Sequence, residues 1–237
     1  MKIIVLQTTN YKEKDSIINA ISDTEYLTFN AHGVLSPTSK NASINNVLTV
    51  ADVVLSESKT HKWSLKESSV IDSPFLLNKD INYLSTISLL AEATNEMLSD
   101  DEKPLAFPYL MQAINKLKTC EEPLYIAISY LCKMLKLSGY SLEINRCVRC
   151  GKKTNIKTFS FIEGGFICAD CLEEGDSHEF DTNQMLMIRS LAGSASFEFN
   201  NADYDRNDTL LILRRLIEFI EDGCGVSIDS ARLITNY

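Results

Sequence analysis

Four cysteines of this 237-residue chain fall in a metal-binding pattern: Cys147-x2-Cys150, seventeen residues, then Cys168-x2-Cys171. Each C-x-x-C forms a tight knuckle that presents two sulfurs to adjacent corners of a tetrahedron, and the doubled spacing is that of a four-thiolate zinc site. Gly151, directly after Cys150, can take the left-handed backbone that lets amides point at sulfur. The intervening TFSFIEGGFIC reads as two strands joined at Gly164-Gly165, a turn that carries the second knuckle back to the first. A zinc ribbon holding one structural Zn²⁺ is predicted. Four protein sulfurs leave no position for a reacting water, and the deaminase pattern of H-x-E followed by P-C-x-x-C is missing, which argues against catalytic zinc. The competing reading leaves the four thiols reduced or makes them a redox pair. Four thiolates around Zn²⁺ carry a formal charge of about −2. Arg146, Arg149, Lys152 and Lys153 lie beside them, either to neutralise that charge or to meet nucleic acid.

No second constellation suggests an enzyme. His32, His61 and His178 are scattered, and none stands with a nucleophile in a known motif. Cys120, Cys132 and Cys224 lie on or beside apolar helical stretches, where cysteine packs as a small hydrophobe. Neither G-x-x-x-x-G-K-[ST] nor G-x-G-x-x-G occurs, so phosphate-loop and dinucleotide chemistry have no support. The N-terminal region instead interleaves Tyr11, Tyr26, Phe29 and Trp63 with Lys12, Lys14, Lys59, Lys62 and Lys66. Aromatics that stack bases beside cations that meet phosphates are what a single-strand groove requires. The plainer alternative makes the aromatics core and the lysines a solvated face.

The elements that must position these residues change character along the chain. Up to about Asp72 the pattern is five β-like stretches, IIVLQTT, SIINAIS, EYLTFNA, LTVADVVLSE and HKWSLKESSVI, which suggest a small barrel or sandwich. His32 to Asn46 is rich in Ser, Asn, Pro and Gly and reads as a long loop. Near Pro74 the period becomes helical through Leu84, Ile87, Leu90, Ala91 and Leu98. Two further helices follow: one carries Leu110, Ile114 and Leu117, the other Leu124, Ile128, Leu131 and Leu135. Beyond the cysteines, Asp181 and Gln184 form a capping box. Asn207 or Asp208 is expected to cap a longer helix over Leu210–Glu221 that ends at Gly223. The chain therefore divides into residues 1–78 and a helical domain, 79–237, into which the zinc ribbon is inserted at about 145–173.

Charge and hydropathy narrow the class further. With 23 basic against 32 acidic side chains the formal net charge is −9, which excludes a strongly basic nucleic-acid binder. The acid is concentrated in residues 173–237, which hold 13 acidic and 5 basic groups. The start, MKIIVLQTTN, has only the apolar run Ile3 to Leu6, too short for a signal-peptide core, and no run approaches a membrane span. A cytoplasmic protein with no membrane contact is expected.

Assembled, LKLSGYSLEINRCVRCG (136–151) and FSFIEGGFICADC (159–171) resemble the helix, G-Y, C-x-x-C-G and G-G-x-x-C-x-x-C signature of the bacterial RecO family of recombination and DNA-repair mediators. PLYIAISYLCKML, DSARLI, YKEKDSIINAIS and YLTFNAHGVLSPTSK resemble its flanking segments more faintly. The resemblance implies an α+β chain: an N-terminal OB-fold β-barrel, then a helical domain with an inserted four-Cys zinc ribbon. It implies a non-enzymatic protein, cytoplasmic and nucleoid-associated, that binds single- and double-stranded DNA and anneals complementary strands. It would help load RecA, with RecR as partner, on DNA coated by single-strand-binding protein, and contact that protein's C-terminal tail. On this reading Lys12, Lys14, Lys40, Lys59, Lys62 and Lys66 meet phosphate, Trp63 or Tyr11 stacks, and Lys133, Lys136, Arg214 or Arg215 receives the acidic tail. The loop that is basic in the family offers only Lys40 here, and residues 1–80 contain no arginine. Few phosphate contacts mean weak direct DNA binding, which leaves open a zinc-stabilised adaptor that docks on the tail or on RecR.

Overall fold

The computed structural model describes residues 1–57, 62–77, 80–176, 179–199 and 205–235. Five strands form first: β1 (Lys2–Tyr11), β2 (Asp15–Ile21), β3 (Tyr26–Ala31), β4 (Val50–Glu57) and β5 (Trp63–Asp72). They close into a barrel of order β1-β2-β3-β5-β4, sealed where Ile3 and Ile4 of β1 pair with Ala51 and Val50 of β4. All neighbours are antiparallel except β3 and β5, which pair in parallel at Phe29 with Trp63 and Asn30 with Ser64. This is the five-stranded OB architecture. Alternation drives it, because Ala51 and Val53 point inward with Ile3, Val5, Ile18, Ala20, Leu27 and Phe29 while Asp52 and Val54 face out. The segment from His32 to Asn46 is not merely a surface loop: Val34 and Ile44 drop into the barrel core, the latter from a short 3-10 turn, Ala42–Asn45.

Helices follow. α1 (Ile81–Met97) is capped by Asp80, whose side chain accepts from the Tyr83 amide, and it packs on β1. α2 (Phe107–Leu117) buries Leu110, Ala113, Ile114 and Leu117. α3 (Pro123–Leu137) starts with Pro123 behind the Glu122 cap. One apolar face is expected of it from sequence, but it buries Tyr125, Ile126 and Tyr130 as well as Leu124, Ile128 and Leu131. A helix apolar nearly all round is a central one, and α3 packs against both α4 (Thr182–Gly193) and α5 (Arg206–Cys224). The Asp181–Gln184 capping box starts α4.

The limits of α5 differ from the sequence expectation. Its cap is Asp205, which accepts from the amides of Asn207 and Asp208, so those two residues lie inside the first turn. The helix also runs past Gly223 to Cys224, and Gly225 takes the left-handed closing position. A short last helix, α6 (Asp229–Thr235), packs on α5.

Between α3 and α4 lies the ribbon: β6 (Glu143–Cys147), β7 (Ile156–Ser160) and β8 (Gly165–Cys168), in sheet order β6-β8-β7. By packing, the chain divides into Met1–Cys120 and Glu121–Tyr237. Helices α1 and α2 thus belong with the barrel, and the ribbon with α3 to α6, whereas the sequence division at residue 78 follows the change from strand to helix. No helix among the described residues is long and apolar enough to cross a membrane.

Candidate metal centre and barrel surface

The two cysteine pairs meet because the β7–β8 hairpin folds back. Phe159 pairs with Phe166 and Ser160 with Gly165, while β6 runs parallel to β8. Gly165 is required there: a side-chain carbon at that position would stand 2.9 Å from the Glu143 carbonyl oxygen and 3.2 Å from the Val148 Cβ. In the first knuckle the Cys147 amide donates to the Lys152 carbonyl at 2.7 Å and the Gly151 amide to the Cys147 carbonyl at 2.8 Å, with Gly151 at φ 77°. In the second, the Ala169 amide donates to the Asn155 carbonyl at 2.9 Å.

The Sγ atoms of Cys147, Cys150, Cys168 and Cys171 all lie within 4.8 Å of one another, and Cys150 and Cys168 are 3.6 Å apart. A tetrahedral Zn–S₄ site, with bonds of about 2.3 Å, puts its sulfurs about 3.8 Å apart. Cys147 and Cys168 are buried, Cys171 half-buried and Cys150 exposed. Burial opposes ionisation of Cys147, but the amides of Cys168, Cys150 and Arg149 outweigh it and draw the thiol down to about 6. Cys171 is pushed up to about 12, chiefly by its bond with Cys150 and then by burial. One thiolate forms readily and the next is resisted, a conflict that a shared cation removes. The four residues can therefore hold one metal ion.

The cations beside the cysteines are engaged within the ribbon. Arg149 binds Glu163 at 2.5 Å and Asp176 at 2.7 Å, and donates to the Cys171 carbonyl at 2.5 Å. Its charge is thus fixed, first by Glu163 and then by Asp176, which push its pKa further up. Arg146 pairs with Glu143 at 2.7 Å and Lys152 with Asp170. Lys153 is exposed. Sequence spacing gives no signal for Glu163 and Asp176, which lie 14 and 27 residues from Arg149.

Most of the barrel candidates gather at one end. Tyr11, Lys12 and Lys14 form the β1–β2 turn, where Lys12 takes φ 59° and its ammonium lies 5.1 Å from the Tyr11 ring. The β1–β2 turn stands at the end of β3, where Ser16 pairs with Ala31, and the parallel register of β5 on β3 sets Trp63, 40% exposed, beside Phe29 two residues short of that end, with Lys62 just before it. Lys66, further along β5, and Lys40, in the long loop, are exposed. Two of the aromatics divide: Phe29 is core, and Tyr26 lies under the Lys103 ammonium at 4.1 Å. Asp15 holds the turn to the loop, accepting from the Gly33 amide at 2.8 Å and pairing with His32 at 3.0 Å. Lys59, His61 and His178 lie outside the described residues.

The four helical candidates are not drawn into one pocket by the bonds they make. Lys133 donates to the Ser194 carbonyl and stands 4.9 Å from the Phe197 ring, and burial lowers its pKa. Arg215 pairs with Glu179 at 2.5 Å and Glu218 at 2.7 Å. Lys136 and Arg214 are exposed.

A closed OB-like barrel, a helical unit and a four-cysteine ribbon that could hold a metal ion define an α+β protein. The family model "Recombination protein O C terminal" matches residues 78–230. The chain is 28% identical to DNA repair protein RecO of Caldicellulosiruptor bescii over 181 residues, 74% of this chain and 72% of that one. It is 27% identical to DNA repair protein RecO of Bacillus cytotoxicus over 235 residues, 98% of this chain and 94% of the relative. The match to the protein of the same name from a Thermoanaerobacter species is 30% over 139 residues, 56% and 55% of the two chains. The chain belongs to the RecO family.

Proposed function

We propose that this chain is a non-enzymatic mediator of DNA repair and homologous recombination that binds single- and double-stranded DNA through one end of its barrel. The observation that carries this is the placement of Tyr11, Lys12 and Lys14 in the β1–β2 turn and of exposed Trp63 at the start of β5, beside Phe29 of β3. The β1–β2 and β4–β5 loops are those with which OB folds hold oligonucleotides. Lys40 and Lys66, both exposed, extend the cationic surface, and Lys59 joins them as a candidate from sequence alone. Family membership supports the finer steps: annealing of complementary strands, partnership with RecR, and RecA loading on DNA coated by single-strand-binding protein. Lys133, Lys136, Arg214 and Arg215 are the helical cations proposed for that protein's acidic tail, and of these Lys136 and Arg214 are the exposed ones. Zn²⁺ is the ion we assign to the ribbon, as a structural metal, since four sulfurs complete its tetrahedron. Its place of action is the cytoplasm, on the nucleoid.

A second reading is favoured by the lack of arginine in residues 1–80 and the net charge of −9. On it the protein is an adaptor that docks on the tail or on RecR and leaves DNA to the complex. Fluorescence anisotropy of labelled single-stranded DNA, titrated with metal-loaded protein at several salt concentrations, separates the two. Binding that weakens steeply with salt supports the mediator. No binding even at low salt moves the function to partner docking.

A further inference from the structure

The β7–β8 hairpin and α5 enclose a cavity of about 570 Å³ that the reading above does not use. Its floor is aromatic: Phe159, Phe161, Phe180 and Phe219 line it, packed edge to face or tilted with centroids 4.9 to 6.3 Å apart. At the hairpin tip Ile162 is 95% exposed, an apolar side chain offered at the lip. The rim is acidic. Glu179, Glu218 and Asp222 surround a single cation, Arg215, which binds the first two. Among the described residues the exposed Asp222 carboxylate has no hydrogen-bond or ion-pair partner. Residues 173–237, which supply much of the lining, carry in sequence an excess of eight acidic groups, a charge that attracts cations.

We propose that this cavity is a docking site for a segment of a protein partner that carries arginine beside apolar side chains. Charge complementarity selects the occupant: a guanidinium can stack on a phenylalanine face while meeting Asp222, and an aliphatic neighbour fills the aromatic floor and covers Ile162. An acidic peptide meets net like charge at the rim, where the one cation, Arg215, is already paired with Glu179 and Glu218. The cavity residues lie in the unit Glu121–Tyr237 and the DNA candidates of the barrel in Met1–Cys120, and the two assignments use different residues, so they stand or fall independently.

The test titrates the full metal-loaded chain with a fluorescein-labelled five-residue peptide alternating arginine and leucine, and with its glutamate-for-arginine counterpart. The arginine peptide is expected to bind and to shift the amide resonances of Ile162, Phe219 and Asp222. Asp222→Lys should weaken it at least tenfold and turn preference toward the glutamate peptide, while Asp101→Lys, the same charge change in the barrel unit, should leave it unaltered. Equal losses in the two variants, or shifts outside the cavity, would show a general attraction of cations to an acidic protein and overturn the site. So would displacement by spermine at the same concentration with or without leucine in the peptide, since a polycation without apolar groups would then suffice. Retained metal and circular dichroism check that the variants are folded.

Discussion

Arg149 joins more of the ribbon than any other single side chain described, tying the hairpin tip through Glu163, the segment after the second knuckle through Asp176, and the Cys171 carbonyl beside the metal-binding sulfurs. Groups that orient ligands are worth about tenfold or more in metal affinity when lost. Arg149→Gln is therefore expected to raise the rate at which a chelator strips the ion by about tenfold, read with a colorimetric zinc dye. An unchanged rate would make the arginine a surface ornament. Gly165→Ala tests steric fit instead, because its new carbon would press on the Glu143 carbonyl and Val148. Such overpacking costs roughly 1–3 kcal/mol, visible as a lower midpoint in thermal unfolding of the loaded protein. The cysteines were legible from spacing alone, since a knuckle is a local structure. The partners of Arg149 were not, because pairing over 14 and 27 residues depends on how the hairpin folds back.

At the scale of elements, alternation in LTVADVVLSE and its neighbours was enough to expect five strands in a small barrel or sandwich, and the observed strands fall on those stretches. Burial imposes the period of two directly. The caps were legible where side-chain type is decisive, at Asp181 and Gln184, and misplaced at α5, where a run of Asp and Asn offers several acceptors and only the fold selects Asp205. The loop after β3 escaped notice as core because its buried residues, Val34 and Ile44, follow no period. Asp15 anchors that loop. The Gly33 amide and then the His32 side chain hold its carboxylate below the ordinary value of 3.8. A depressed carboxyl contributes stability above its unfolded pKa, and that contribution is lost as pH falls through the folded one. The Gly33 amide resonance should hence titrate with a midpoint below 3.8, and Asp15→Asn should remove the transition while loosening the loop. A midpoint at or above 3.8 would mean that the carboxylate is not held.

For the whole molecule the deciding balance is between a net charge of −9 and a local cluster of lysines. Long-range repulsion from a polyanion is screened within about 10 Å at 0.1 M salt, whereas contacts at the barrel end act at touching distance. The division into Met1–Cys120 and Glu121–Tyr237 places the acid-rich residues 173–237 in the unit that does not contain those lysines. Local cation density can then govern binding even though the sum is negative. Each phosphate contact on a single strand contributes about 0.7 to the slope of log affinity against log salt. Replacing Lys12, Lys14 and Lys62 by Ala together should accordingly lower affinity and flatten that slope by about 2. The same substitutions in Lys136, Lys153 and Lys157, all in the unit Glu121–Tyr237, serve as the charge-matched control and should leave the slope nearly as it was. If both triple variants flatten it equally, DNA responds to overall charge and the barrel end has no special part. If neither changes it, DNA reaches the protein through another surface or only through a partner, and the adaptor reading takes over.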